Sequence, residues 1–488
     1  MKNNDHTGEV HEGLFHRNIG LVSNFSLGFT YLSPLTGIYS LFAFALALAG
    51  PASMWWILII AGGQMLVALI FGEVASQYPI TGGLYPWTRR LWGRRYAWLA
   101  AWIYLCAIVV TVTSVAQYST TFIASFLGYE QSPVRDLLAA VGMLLLAFAF
   151  NLSGTKTLAR VATIGFWAEI IGVVGLGIYL LLFERIHSFS VLFDSMGVVA
   201  ANGSYFTAFM GAALLGLWMF FGFEACGNVA EEVQNPSREI PKAMILSIVS
   251  GAVSAIVSFA GYLLAAPDLP GIINGTISDP IPRILNGALG EWGGKLFLVV
   301  ALAAFISCVL SLQAALSRLV FSFARDEMLP GSGWLKKIHP THAVPNNAMI
   351  ASCVLPIMMC LIVFYLPESL NRITAFAVIG IYLSFSMVVL AALRQRLKGW
   401  KPAGQWSLGA FGWSVNIAAL AFQVWGMYLL AQPGGEELPF LDRWIVLVGL
   451  ATVLIVGMVY MVIAKPYGRS DAPEDDAIAY ARQLQTAR

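Results

Sequence analysis

Runs of about 20 or more apolar residues, the length a helix needs to cross the hydrocarbon of a bilayer, recur from one end of this 488-residue sequence to the other. No other feature restricts the fold so strongly. Twelve such runs are recognisable, at approximately 20–49, 54–79, 95–127, 134–151, 160–184, 203–232, 242–266, 292–327, 347–366, 371–393, 409–431 and 441–464. Composition agrees: 58% of residues are hydrophobic, 11% are charged and mean hydropathy is +0.74, whereas an ordinary soluble domain carries roughly 25% charged residues. The expected fold class is all-α, embedded in a lipid bilayer.

The first eighteen residues, MKNNDHTGEVHEGLFHRN, are polar and lack the apolar centre of a secretory signal, so no signal peptide is expected and the first run must itself direct insertion. With both termini placed in the cytoplasm, most Lys and Arg residues fall on that side. Arg89, Arg90, Arg94 and Arg95 follow the second run, and Arg394, Arg396, Lys398 and Lys401 follow the tenth. That bias sets orientation, and a multi-pass protein of the plasma membrane is expected. A formal net charge of +2 gives no reason to expect a nucleic-acid partner. The five cysteines lie inside apolar runs, are odd in number and have no metal-ligand spacing. They read as small buried hydrophobes, and no metal or cofactor is expected.

No connecting segment is long enough to fold alone, so function must reside within the bundle. Two runs are interrupted at their middle. The first, NFSLGFTYLSPLTGIYSLFAFALALAG, carries Ser33, Pro34, Thr36 and Gly37 between apolar turns. Proline removes a backbone donor and glycine loosens the chain. In the sixth run Gly222 and Gly227 bracket Glu224. Backbone groups freed at such depth are tolerated only where they face protein, water or ligand. Paired interruptions five helices apart point to inverted repeats with a solute site between them. The N-terminal end of a half-helix suits a carboxylate, and freed carbonyls suit an ammonium or cation.

With SPLTGI (33–38), GEVASQYPITGGLYPW (72–87), GFEACGNVAEEVQNPSREIPKA (222–243) and SRLVFSFARDEMLP (317–330), the chain resembles the amino acid, polyamine and organocation superfamily of secondary transporters over about residues 18 to 465. TGGLYPW and the Trp55–Trp56 pair most resemble its subfamily of fungal choline and γ-aminobutyrate permeases. The resemblance implies twelve helices in the leucine-transporter fold and alternating access. The cytoplasmic tails would be 1–19 and 465–488. Residues 20–393 would form a ten-helix core, with repeats at about 20–184 and 203–393, followed by two further helices at 409–464. It also implies that the backbone from Ser33 through Thr36 and Gly37 to Ile38 cradles a substrate carboxylate, with Phe221, Gly222, Phe223, Glu224 and Ala225 as the opposite wall. Glu224 stands where relatives for cationic amino acids carry an acid, the alternative being a structural acid hydrogen-bonded within the helix break, and Phe221 and Phe223 are placed to face an ammonium.

Where proton-coupled relatives carry a lysine in helix five, this chain has Glu169. Its expected role is to carry the coupling proton or bind an amine; the alternative is a structural pair with a basic residue such as Arg318. Glu73, Glu231, Glu232 and Arg318 are expected to pair across helices as an inner gate. No nucleotide loop, HExxH motif or serine elbow is present, so an enzyme is not expected. The expected function is uptake of an amino acid or related small amine such as γ-aminobutyrate. Proton coupling is preferred to substrate exchange and to sodium symport. Choline, ethanolamine or polyamine transport is the alternative, with a channel or a nontransporting sensor more remote. Oligomeric state is not legible.

Overall fold

A computed structural model describes residues 17–200, 203–277, 280–339, 344–366, 370–433 and 439–486. The first sixteen residues of the expected N-terminal tail lie outside the described set. Eleven helices in the described residues are long and apolar enough to cross a membrane. The first is composite: α1 (Leu21–Leu32) and α2 (Pro34–Ala49) meet at Ser33, which has φ 41°. Pro34 opens α2 at a position where no intrahelical N–H is required. There follow α3 (Trp55–Gln77), a short α4 (Leu84–Trp92), α5 (Arg94–Leu127), α6 (Pro133–Leu152) and α7 (Thr155–Glu169). A π-helical turn, Ile170–Gly175, joins α7 to α8 (Leu176–Phe183).

Where the sixth run was expected to form one helix with an interruption, three short pieces occur: α9 (Tyr205–Gly211), α10 (Leu214–Met219) and α11 (Ala225–Asn228). None reaches the length of a full span, so twelve expected crossings become eleven long helices and this divided segment. Gly222, at φ 118°, lies in the gap between α10 and α11. Its conformation is one that L side chains rarely adopt, and a Cβ there would fall 2.8 Å from the backbone nitrogen of Leu32.

Next is α12 (Pro236–Ala265), which starts before the expected residue 242 despite an internal Pro241. Pro241 cannot donate to the carbonyl of Ser237. The Ser76 hydroxyl of α3 donates to that carbonyl instead, at 2.7 Å. The remainder comprises α13 (Leu269–Ile273), α14 (Pro280–Arg325), α15 (Ser332–Leu335), α16 (Asn346–Tyr365), α17 (Leu370–Leu397), α18 (Gly412–Leu430), α19 (Phe440–Arg443), α20 (Ile445–Ala464) and α21 (Ala477–Thr486). A bend at Gly290 leaves Trp292–Arg325 as the long apolar part of α14.

The packing surrounds the two interruptions. α5 lies against α14 and α17, α12 against α3, and α1 against α7, α12 and α14. At one end of the bundle Ile19 pairs in parallel with Val233, and the polypeptide around α21 lies beneath α3. This terminal face holds the described beginning and end of the chain.

Candidate functional site

At the first interruption, the N-terminal turn of α2 should present unpaired N–H groups. It presents none to a solute. Pro34 has no N–H, Leu35 N donates to Glu169 Oε1 at 2.9 Å, Thr36 N donates to Ser33 Oγ at 3.3 Å, and Gly37 N donates to Ser33 O at 3.0 Å. The Ser33 hydroxyl also reaches Glu169 Oε1, at 2.9 Å. A carboxylate supplied by α7 therefore sits where a substrate carboxylate was expected. The same dipole attraction favours either occupant. Glu169 Oε2, fully buried, has no hydrogen-bond partner among the described residues. The expectation of a Glu169–Arg318 pair is corrected, because the guanidinium of Arg318 is already held elsewhere.

The second interruption is also closed by a carboxylate. Glu224 folds back on its own segment: Oε2 accepts from Gly222 N at 2.7 Å, and Oε1 accepts from the Tyr104 hydroxyl of α5 at 2.8 Å. Tyr104 lies 3.4 Å from the hydroxyl of Tyr31 on α1. Glu224 thus has a donor on each oxygen, whereas Glu169 has donors on one. The flanking rings separate. Phe221 packs edge-on against Tyr31 and Trp218, at centroid distances of 6.4 and 5.5 Å. Phe223 is buried on the far side against Phe71 and Phe385. Ile38 and Ala225 are buried beside their breaks.

Beyond the first break, away from the terminal face, lies a cavity of about 140 Å³. Tyr39, Ser40 and Phe42 of α2, Tyr118, Thr121 and Phe122 of α5, and Pro280–Pro282 contribute to its wall, which among the described residues carries no ionisable cation or anion apart from tyrosine hydroxyls. The Tyr39 ring stacks on Phe122 at 5.1 Å, and its hydroxyl meets that of Tyr262 at 2.5 Å.

The terminal face is closed by charge. Arg318 and Glu232 form a two-point ion pair, Nε to Oε1 at 2.9 Å and Nη2 to Oε2 at 3.2 Å, with both side chains essentially inaccessible. Thr155 donates to Glu232 Oε2 at 2.6 Å, and Ile19 N donates to the Glu232 carbonyl at 3.0 Å. Glu231 pairs with Arg325 at 3.2 Å and exchanges hydrogen bonds with Thr81. Glu73 stands apart from this group. It forms a buried ion pair with Arg396 of α17 and accepts from Leu408 N at 2.7 Å, fixing the segment before α18. Tyr104, Tyr31, Arg325 and Arg396 complete arrangements in which sequence reasoning named only one member as a site residue, and Thr155 joins the Glu232–Arg318 pair, both of whose members it named.

A family model described as amino acid permease matches residues 19–459. The chain belongs to the amino acid permease family. Among relatives of this permease, the amino-acid permease BAT1 homolog of Oryza sativa subsp. japonica is 26% identical over 83% of this chain and 82% of its own. The choline transporter of Saccharomyces cerevisiae is 24% identical, covering 87% and 77%. The thiamine transporter thi9 of Schizosaccharomyces pombe is 22% identical, covering 87% and 79%. The permease is accordingly a multi-pass membrane transporter and not an enzyme.

Proposed function

We propose that this permease takes up a small organic amine by alternating access, with proton coupling, and that recognition does not require a carboxylate on the substrate. The observation that carries the reading is the Glu169 carboxylate on Leu35 N and the Ser33 hydroxyl, which, with Thr36 N and Gly37 N taken up by Ser33, leaves no donor there for a second carboxylate. The cavity beyond the break supports it, because its wall has aromatic faces suited to an ammonium and, among the described residues, no Lys or Arg to pair with an anion. Glu169 Oε2 is the available acceptor for the coupling proton. Glu224, with both oxygens engaged, maintains the second break and presents negative charge beside Phe221.

The proposed arrangement has twelve crossings, with the divided α9–α11 segment as the sixth and inverted repeats in the leucine-transporter manner. The terminal face is taken as cytoplasmic in the plasma membrane, on the basis of the Lys and Arg distribution. Sealed ion pairs at that face and a cavity toward the other end correspond to a state closed on the inside.

A second reading, uptake of an amino acid whose carboxylate displaces Glu169 from α2, is favoured by the name of the rice relative, an amino-acid permease homolog. Thermal unfolding of the purified permease separates the two, because a ligand that binds the native state stabilises it by mass action. The panel pairs amino acids with their decarboxylated amines and adds choline and ethanolamine. Stabilisation by the amines supports the proposal. Stabilisation confined to compounds with a free carboxylate overturns it in favour of the second reading.

A further inference from the structure

The family match ends at residue 459, yet the polypeptide beyond it makes a dense set of contacts with the bundle. Three consecutive acids, Glu474, Asp475 and Asp476, meet basic side chains from three elements. Glu474 Oε2 accepts from Arg94 N at the start of α5 at 2.7 Å, while the Arg94 guanidinium donates to the Ala472 carbonyl at 2.8 and 3.1 Å. Asp475 is held at the end of α17, by Arg394 at 2.9 Å, Gln395 at 2.6 Å and Lys398 at 3.3 Å. Asp476 pairs with Arg90 of α4 at 2.9 Å. Backbone bonds add register, since Asp475 N and Asp476 N donate to the carbonyls of Arg89 and Arg90, both at 3.1 Å.

The contact continues into α21. Tyr480 stacks on Tyr78 at 5.3 Å, and the Arg90 guanidinium lies within 5.0 Å of both ring centroids. Gln77 at the end of α3 donates to the Ala477 carbonyl at 3.0 Å. One short segment therefore ties the consecutive helices α3, α4 and α5 to α17, which is distant from them in sequence.

Its most consequential partner is α4. The turn before α4 closes on the inner half of the divided helix: Gly82 N donates to the Asn228 carbonyl at 3.1 Å, and Thr81 exchanges hydrogen bonds with Glu231. From the other side Tyr85 donates to Asp326 at 2.7 Å, and Arg89 forms an ion pair with the same carboxylate. Movement of α11 away from α14 at the terminal face must displace α4, and the tail holds α4 by side chain and backbone at once.

We infer that residues 472–481 are an intramolecular strap that holds the terminal face closed through α4, so that their release promotes opening on that side. Ionic contacts in part-exposed positions are individually weak and screened by salt. Their number and the Tyr78–Arg90–Tyr480 stack give the strap its hold, and their exposure makes it releasable.

The test is hydrogen exchange with mass spectrometry on the full-length permease in lipid nanodiscs. It needs no substrate, so its outcome is independent of which solute is carried. In the wild type the amides of 477–486 should be protected. In the triple variant Glu474→Gln, Asp475→Asn, Asp476→Asn their exchange should rise by about tenfold or more, with a parallel rise in 84–92 and in 226–234. Reversing one pair, Asp475→Arg with Arg394→Asp, should restore protection that each single change removes, which distinguishes loss of the strap from general misfolding. Unprotected 477–486 amides in the wild type would overturn the inference. So would a released tail with unchanged exchange at 226–234, since α4 would then not transmit it, and so would failure of the reversed pair to restore protection.

Discussion

Replacing Glu169 with glutamine tests the coupling reading most directly. The amide oxygen can remain under Leu35 N and Ser33 Oγ, each now 2.9 Å from Glu169 Oε1, while the unpartnered Oε2 position receives an NH2 group that cannot accept a proton. Hydrogen bonds to a charged acceptor contribute about 1.5–3 kcal/mol, and neutral ones about 0.5–1.5. With two donors on Oε1, neutralising the carboxylate weakens the hold of α7 on the first break by roughly 2–3 kcal/mol. Under the proposed coupling that difference accompanies each protonation in the wild type and shifts the balance between gripped and released states by about 30- to 150-fold. In Glu169→Gln it is applied permanently, so it can no longer be driven by pH. The assay uses proteoliposomes with an imposed proton gradient and an amine that stabilises the protein. Accumulation should fall to the diffusive level, while exchange of labelled for unlabelled amine across equal concentrations persists. Accumulation that survives with unchanged pH dependence would refute the reasoning and leave Glu169 a structural cap for α2.

Three further substitutions have defined outcomes. Gly222→Ala places a Cβ against the Tyr31 ring and the Leu32 backbone at φ 118°, and should cost about 2–4 kcal/mol from the backbone conformation and overpacking together; a thermal midpoint unchanged in detergent would show that the break rearranges freely. Arg318→Gln leaves Glu232 buried without its partner and should destabilise the closed terminal face by about 3–5 kcal/mol, seen as faster hydrogen exchange at 226–234, with Glu232→Gln added in the same chain recovering most of the protection. Tyr104→Phe removes the donor on Glu224 Oε1 and should weaken the second break by about 1.5–3 kcal/mol, raising the KM for amine uptake about tenfold or more; unchanged uptake kinetics would exclude Tyr104 from holding Glu224.

The interruptions were legible in the sequence because proline, glycine and an acid within an apolar run are visible one residue at a time. What fills them was not. Glu169 reaches Ser33 from 136 residues away, and the rotation of α7 that permits this depends on helix packing that no local pattern records. Tyr104 occurs in RRYAWLAAWIYLCAIVV, where a tyrosine reads like any ring of an apolar helix. Glu232 and Arg318 were both named, and they meet. Glu73 was named with them but pairs with Arg396, a member of the basic cluster that had been used only to orient the chain. The helices α4 and α21 escaped notice because, at nine and ten residues, they are too short to read as spans, and they are held by ion pairs at or just before them and by stacked rings instead of a continuous apolar face.

The two breaks differ in what must move for them to change. Glu224 closes the second one from within its own segment, two residues from Gly222, with the Tyr104 hydroxyl as its donor from outside that segment among the described residues. That arrangement can travel with α11 as a unit. The first break is closed by a residue of another helix, so any displacement of α7 relative to α2 stretches the bonds from Glu169 to Ser33 and Leu35. Immediately after Glu169 the chain enters a π-helical turn, Ile170–Gly175, a geometry whose wider hydrogen-bond register is found mostly as local bulges, frequently at functional sites. The helix below it can shift against the helix above it at the cost of rearranging a few weak bonds. Under the proposed coupling, charge on Glu169 grips α2 and loss of that charge loosens it, so that protonation at this one carboxylate would be converted into relative movement of α7 and α2. A proton placed on Glu224 would find both oxygens already engaged and no neighbouring helix to release except through Tyr104. In the proposed function the coupling step accordingly lies at the first break and the shape of the solute site at the second.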